Sequence, residues 1–215
     1  MKKVVIAIDG PAGAGKSTVA KIISQKLNIN YIDSGAMYRA ITYKVLQKKI
    51  DITDENKIIE ISRNSDIDFE DNNIYLDGKI VNEEIRDLSV SSLVSNIAQI
   101  KEVREVMVSL QRKMGEKYSV IMDGRDIGSY VFPNADYKFF LTASVKERAY
   151  RRYIELKSKG YEVTIDEIIK DIENRDKIDS QREFAPLIKA DDAIEINTSG
   201  KSIDDVVSKI LEYIK

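Results

Sequence analysis

The chain has 215 residues with 43% apolar content, enough for one substantial core and a smaller inserted lobe. Its 34 basic and 36 acidic residues leave a net charge of -2, so no global field draws it to nucleic acid or an anionic membrane, and any anion must be held by a local cluster. Cysteine and histidine are both absent, which excludes disulfides, thiol nucleophiles, cysteine zinc sites, triads and the usual imidazole bases. The remaining chemistry rests on Arg, Lys, Asp, Glu, Ser, Thr, backbone amides and a bound metal.

Lys2 and Lys3 precede an apolar run, Val4 to Ile8, that Asp9 and Gly10 interrupt. The run is too short for a signal peptide or a membrane span, and a cytoplasmic protein is expected. It reads instead as a buried parallel strand, and it leads into Gly10-Pro11-Ala12-Gly13-Ala14-Gly15-Lys16-Ser17-Thr18. That stretch fits G-x-x-x-x-G-K-[ST], and a helical pattern (Val19, Ala20, Ile22, Ile23, Leu27) follows at once. Glycines there let successive N–H groups converge on phosphate oxygens, and the new helix points its positive end at the same charge. Lys16 would reach the β and γ phosphates, and the Ser17 hydroxyl would hold Mg²⁺. A glycine-rich turn that merely starts a helix would need neither residue.

A second strand is expected at residues 30–32, ending in Asp33-Ser34-Gly35, with Ser34 as the cap of a helix through Val45. The next buried strand, 119–122, precedes Asp123-Gly124-Arg125-Asp126. More than eighty residues separate the two, far beyond a simple crossover, so something is inserted between them. Inside the gap, Asn73 to Leu76 faces Lys79 to Val81 across Asp77-Gly78, a hairpin with a type I′ turn. Helices are expected at 54–63 and at 89–114, the latter broken near Ile100. Further strands at 137–141 and 193–196 alternate with helices at 144–157, at 164–176 and along an apolar stripe of Ile203, Val206, Val207, Ile210, Leu211 and Ile214. Such alternation means a parallel sheet with helices on both faces and ligands at the carboxyl ends of the strands. The phosphate loop, Asp33-Ser34-Gly35 and Asp123-Gly124-Arg125-Asp126 should therefore line one crevice.

A phosphate loop alone does not separate a switch GTPase from an ATPase or a kinase. The chain has no Asn-Lys-x-Asp guanine reader. It does carry arginines at many loop and helix-end positions: Arg39, Arg104, Arg125, Arg148, Arg151, Arg152, Arg175 and Arg182. Phosphoryl transfer between two nucleotides gathers several phosphates, and guanidinium forks hold their oxygens bidentately. Two readings stay open for Arg148, Arg151 and Arg152, which share one helical face: a solvated stripe, or a mobile lid ahead of Gly160. Arg125-Asp126 and Asp179 with Arg182 have surface ion pairs as their plain alternative. Arg39 lies one turn into a helix, where a cation is misplaced unless an anion is near.

The phosphate loop, Asp33-Ser34-Gly35-Ala36-Met37-Tyr38-Arg39, Asp123-Gly124-Arg125-Asp126-Ile127-Gly128, and Asp179-Ser180-x-Arg182 with Ala185-Pro186-Leu187 together resemble bacterial cytidylate kinases, in order and over nearly the whole chain. The resemblance implies an α/β P-loop kinase fold: a five-stranded parallel sheet with helices on both faces, an inserted α+β monophosphate-binding lobe and a helical lid. It implies a P-loop core of residues 1–33 and 116–215, with the lid at about 148–162, and an inserted lobe of residues 34–115. Ser34, Arg39, Arg125 and Arg182 would surround the acceptor phosphate, with Tyr38 in the same motif. Ser95, Arg104 and Asp126 would read the cytosine, and Arg175 and Asp179 would meet the ribose. Lys16, Arg148, Arg151 and Arg152 would supply catalytic charge. The implied activity is phosphorylation of CMP and dCMP by ATP with Mg²⁺, in a cytoplasmic monomer without nucleic-acid or membrane partners. A kinase for UMP or AMP is the near alternative, and a nucleotide-dependent switch or scaffold the distant one.

Overall fold

The computed structural model describes residues 3–70 and 73–214; Lys2 lies outside them. The opening apolar run forms β1 (Val5–Asp9), with Ile6, Ala7 and Ile8 fully buried. The phosphate-loop stretch turns into α1 (Lys16–Leu27), which leads through β2 (Asn30–Asp33) into α2 (Ser34–Gln47). The inserted segment holds α3 (Glu55–Arg63), the antiparallel strands β3 (Ile67–Glu70), β4 (Asn73–Leu76) and β5 (Lys79–Ile80), a short 3-10 turn, then α4 (Leu88–Ala98) and α5 (Lys101–Lys117). The chain returns to the main sheet as β6 (Val120–Gly124), makes a π-helical turn at Ile127–Val131, and continues through β7 (Tyr137–Thr142), α6 (Val145–Ser158), α7 (Ile165–Gln181), β8 (Ile194–Asn197) and α8 (Ile203–Leu211).

Every pairing in the five-stranded sheet is parallel, and the order is β2-β6-β1-β7-β8. From β1 the chain crosses to one side for β2 and β6 and to the other for β7 and β8. The carboxyl end of β1 is thus the switch point where a crevice opens. The register sets Asp9 beside Gly124 and Phe140, and Asp33 beside Asp123.

Four apolar clusters organise the molecule. Ile8, Val19, Ile23, Ile121, Phe139, Val207 and Ile210 fill the space between the sheet, α1 and α8. A second cluster (Ala7, Val108, Val120, Met122, Ile127) covers the opposite face. The insert has its own core, in which Met37, Ile41 and Val45 of α2 meet Ile58, Ile74, Leu76, Ile97 and Met107. Ala149, Leu156, Ile168 and Ile172 join α6 to α7 as a helical hairpin.

The hairpin turn has positive φ at both Asp77 (51°) and Gly78 (75°), as a type I′ turn demands. The expected helix break falls between Ala98 and Lys101. One local expectation is corrected: Ser34 does not cap α2. Asp33 does, its Oδ1 accepting from the Ala36 N–H at 2.9 Å, while the Ser34 hydroxyl is drawn across the sheet to the Asp123 carbonyl at 2.6 Å. Helix α7 also runs five residues past its expected end, and Ile203 of the final stripe stands exposed on the first turn of α8.

Candidate active site

At the end of β1 the backbone turns sharply at Gly10, where φ is 142° and a Cβ would sit 2.1 Å from the Leu141 carbonyl oxygen. Only glycine fits there. Gly15, with φ at 88°, occupies the N-cap of α1 and offers no capping side chain, so the first N–H groups of the helix stay open to an anion. Lys16 is buried and donates to the Pro11 carbonyl at 2.8 Å. Burial and then the Arg125 cation push its ammonium down to about 7, against the pull of Asp123 and Asp9.

Beside the loop, the Asp123 carboxylate at the end of β6 accepts from Ser17 Oγ at 2.9 Å and from the Tyr31 hydroxyl at 2.8 Å. Burial, and next the neighbouring Asp33, push Asp123 up to about 6, while Lys16 and these two hydroxyls oppose the rise. Oxygen donors of this kind fit a hard cation, and one or two carboxylates with substrate phosphates are the usual surroundings of Mg²⁺.

A cavity of about 500 Å³ extends from this loop towards the insert. Ala12, Gly13, Gly15, Lys16, Ser17 and Thr18 line one end. Ser34, Tyr38, Arg39, Ser95, Arg104, Arg125, Asp126, Arg151, Arg152, Arg175, Asp179 and Arg182 line the rest. Gly10, Pro11, Ala14 and Arg148 are not on its wall. The Asp126 carboxylate accepts from Arg104 and, at 3.4 Å, from Arg182, and all three side chains are buried. Arg104 also donates to the Ala98 carbonyl at 3.2 Å and stacks over the Tyr38 ring at 5.3 Å. A carboxylate has about four lone-pair positions, so Asp126 keeps acceptor capacity for a ligand.

Arg125 donates to Asp179 at 2.8 Å, and Arg182 approaches the other Asp179 oxygen at 3.6 Å. Burial raises the Asp179 carboxyl, but Arg125 and Arg182 outweigh it and hold the group below its ordinary value. Arg39 pairs with Asp33 at 2.7 Å. The Nε–H groups of Arg39, Arg104 and Arg175 are buried and find no partner among the described residues. All three arginines line the cavity, where their guanidinium charge suits an anionic ligand.

The three arginines of α6 separate by role. Arg148 is buried, and its guanidinium reaches the Ala143 carbonyl (3.0 Å), the Ala12 carbonyl (3.1 Å) and both Asp176 oxygens (3.2 and 2.6 Å). It straps α7 to the phosphate loop. Arg151 lies over that loop, bonded to Thr198 Oγ1 at 3.1 Å and to the Thr198 carbonyl at 2.9 Å. Arg152 pairs with Glu155 at 2.8 Å, and nearly half of the Glu155 side chain is exposed.

The sequence matches the family model described as Cytidylate kinase over residues 6–215. The chain belongs to the cytidylate kinase family. It is 64% identical over 214 residues to the Cytidylate kinase of Clostridioides difficile (strain 630), a match covering 100% of this chain and 99% of that one. It is 51% identical over 218 residues to the Cytidylate kinase of Bacillus subtilis (strain 168), covering 100% and 97%. Among solved structures, a gluconokinase from Sinorhizobium meliloti 1021 superposes with a TM-score of 0.51 at 11% identity, covering 98% of this chain and 92% of that one. A shikimate kinase from Acinetobacter baumannii in complex with shikimate gives 0.50 at 15%, covering 99% and 93%. These two share the P-loop kinase fold.

Among the polar residues of this cytidylate kinase family member that the sequence does not single out are Asp9, Tyr31 and Asp176, with Arg86, Ser91, Glu155 and Asp171 on the cavity wall. Asp123 is expected at the crevice as part of its motif, but not as the partner of Ser17 and Tyr31. For Tyr31 and Asp176 no local pattern marks the partner across the fold. No helix among the described residues is long and apolar enough to cross a membrane.

Proposed function

We propose that the chain transfers the γ-phosphoryl group of ATP to CMP and dCMP, giving ADP with CDP or dCDP. The observation that carries the reading is Asp126, buried between Arg104 and Arg182 and one residue from Arg125 on the loop facing Lys16. Cytosine presents an amino donor beside ring-nitrogen and carbonyl acceptors; a carboxylate with a guanidinium complements that edge.

The donor triphosphate would lie on the open N–H groups after Gly13 and Gly15, with Lys16 and Arg151 against its outer oxygens. Ser17 and Asp123 would hold Mg²⁺, whose contribution when bound is to neutralise phosphate charge and fix the phosphate geometry. Ser34, Arg39, Arg125 and Arg182 would grip the acceptor phosphate. Ser95, with Arg104 and Asp126, would read the base; Arg175 and Asp179 would meet the sugar. Residues 34–115 would act as the monophosphate lobe, and residues 148–162, carrying Arg152, as a lid that closes on the donor. Phosphoryl transfer is accelerated mainly by alignment and by charge stabilisation, so the absence of histidine removes nothing the reaction needs.

Phosphorus NMR of ATP, Mg²⁺ and CMP with the protein tests the reading. CDP and ADP resonances growing in equal amounts support it, whereas ADP and free phosphate forming without acceptor consumption would replace it with a nucleotide-hydrolysing switch.

A further inference from the structure

Asp9 is fully enclosed at the carboxyl end of β1 and does not line the cavity. A buried carboxylate is costly unless it is paired or well hydrogen-bonded, and no step of the transfer uses it. Its two oxygens are each committed: Oδ1 accepts from the Ile127 N–H at 2.8 Å and Oδ2 from the Gly128 N–H at 2.7 Å. Two successive amides gripping one carboxyl form a bidentate clamp, and both bonds draw the group down against the burial that pushes it up to about 7. The clamped residues directly follow Arg125 and Asp126, which face the cavity.

We propose that Asp9 is a positioning residue for the acceptor side of the site: by clamping the Ile127 and Gly128 amides it sets where Arg125 and Asp126 stand. This rests on the acceptor assignment above. The backbone of the phosphate loop does not depend on the same side chain, although the Asp9 carboxyl attracts the Lys16 ammonium. The Asp9 backbone is held by pairing with β6 and β7 on both sides, and Gly10 is seated against Leu141. Loss of the carboxylate therefore frees the Arg125-Asp126 turn while leaving the donor loop in place. Asn at this position keeps one acceptor and turns an amide donor towards the second N–H.

The test measures KM for CMP and for ATP, and the ratio of kcat/KM for CMP over UMP, in wild type and in Asp9→Asn. The expected result is a CMP KM raised about tenfold, the scale of one charged hydrogen bond, with the CMP to UMP ratio reduced and the ATP KM within about twofold of wild type. Gly128→Ala is the second variant. Its added methyl would meet Asp9 Oδ2 at 3.3 Å and the Lys138 side chain at 3.2 Å, so it presses on the clamp from the turn and should shift the CMP KM in the same direction by a smaller factor. If both KM values move together, or neither moves, in whichever variants fold, Asp9 is a general support of the fold and the proposal is overturned. Failure of the wild type to phosphorylate CMP would instead overturn the acceptor assignment, so the two failures are distinguishable.

Discussion

Asp126→Asn removes one negative charge from between two buried guanidinium groups while keeping the side chain's size. Arg104 and Arg182 are 1% and 3% exposed at their side chains and Asp126 is 6% exposed, so the cations left behind have little water to turn to. Breaking a buried pair by removing one partner costs about 3 to 5 kcal/mol. At roughly 2 to 4 °C per kcal/mol for a chain of this length, the melting temperature should fall by about 6 to 20 °C. Specificity should move separately. UMP carries a carbonyl oxygen where CMP carries its amino group, so the carboxylate faces another acceptor, whereas the asparagine amide can rotate to donate. The lost preference should be about 1.5 to 3 kcal/mol, which is roughly a 10- to 150-fold narrowing of the CMP to UMP ratio. The assay is kcat/KM for both acceptors with ATP saturating, run well below the variant's melting temperature. If both efficiencies fall by one factor, Asp126 serves only to hold Arg104 and Arg182, and the base-reading argument is refuted.

Arg148→Ala should behave as a stability variant, losing about 1 to 3 kcal/mol in urea unfolding because a partly exposed Asp176 is left without its bidentate partner; an unchanged unfolding midpoint would contradict the strap. Arg151→Ala and Arg152→Ala should lower kcat more than they weaken CMP binding, with the Arg152 variant keeping a near-normal melting temperature, since its pair with Glu155 is partly solvated. Lys16→Met should reduce turnover by orders of magnitude without loss of stability at pH 7. Its folded pKa of about 7 lies below the ordinary 10.5. Relative to the Met variant, the wild type should therefore lose stability as pH falls from about 10 to 7 and level off below that. Phosphate beside the ammonium raises its pKa, so ATP binding at pH 8 should take up protons. Calorimetry in two buffers of different ionisation enthalpy would show this, and the Met variant should lack it.

Strands β1 and β6 were legible because each is a short, largely β-branched run stopped by Asp and Gly, and the hairpin because Asp77-Gly78 is the residue pair its turn requires. Most cavity-lining residues were legible through four compact motifs, three at strand ends and one at the end of α7. What escaped depends on which strands become neighbours. Asp33 and Ser34 are both good caps by type, and only the pairing of β2 with β6 brings the Asp123 carbonyl close enough to claim the serine. Asp9 looked like the first residue of a loop; its amide partners lie over a hundred positions away. Helical spacing put Arg148, Arg151 and Arg152 on one face. It carried no information on which of them would meet the phosphate loop, and that follows from where α7 delivers Asp176.

The central claim is that the cavity between the phosphate loop and the insert is built for a cytidine monophosphate. Steady-state kcat/KM for ADP formation with saturating ATP and Mg²⁺, across CMP, dCMP, UMP, AMP and GMP, tests it most directly. The account predicts that CMP and dCMP lead the panel, with UMP at least tenfold behind, on the scale of one mismatched charged hydrogen bond. Equal efficiency with UMP, or ADP release at the same rate with no acceptor present, would contradict it.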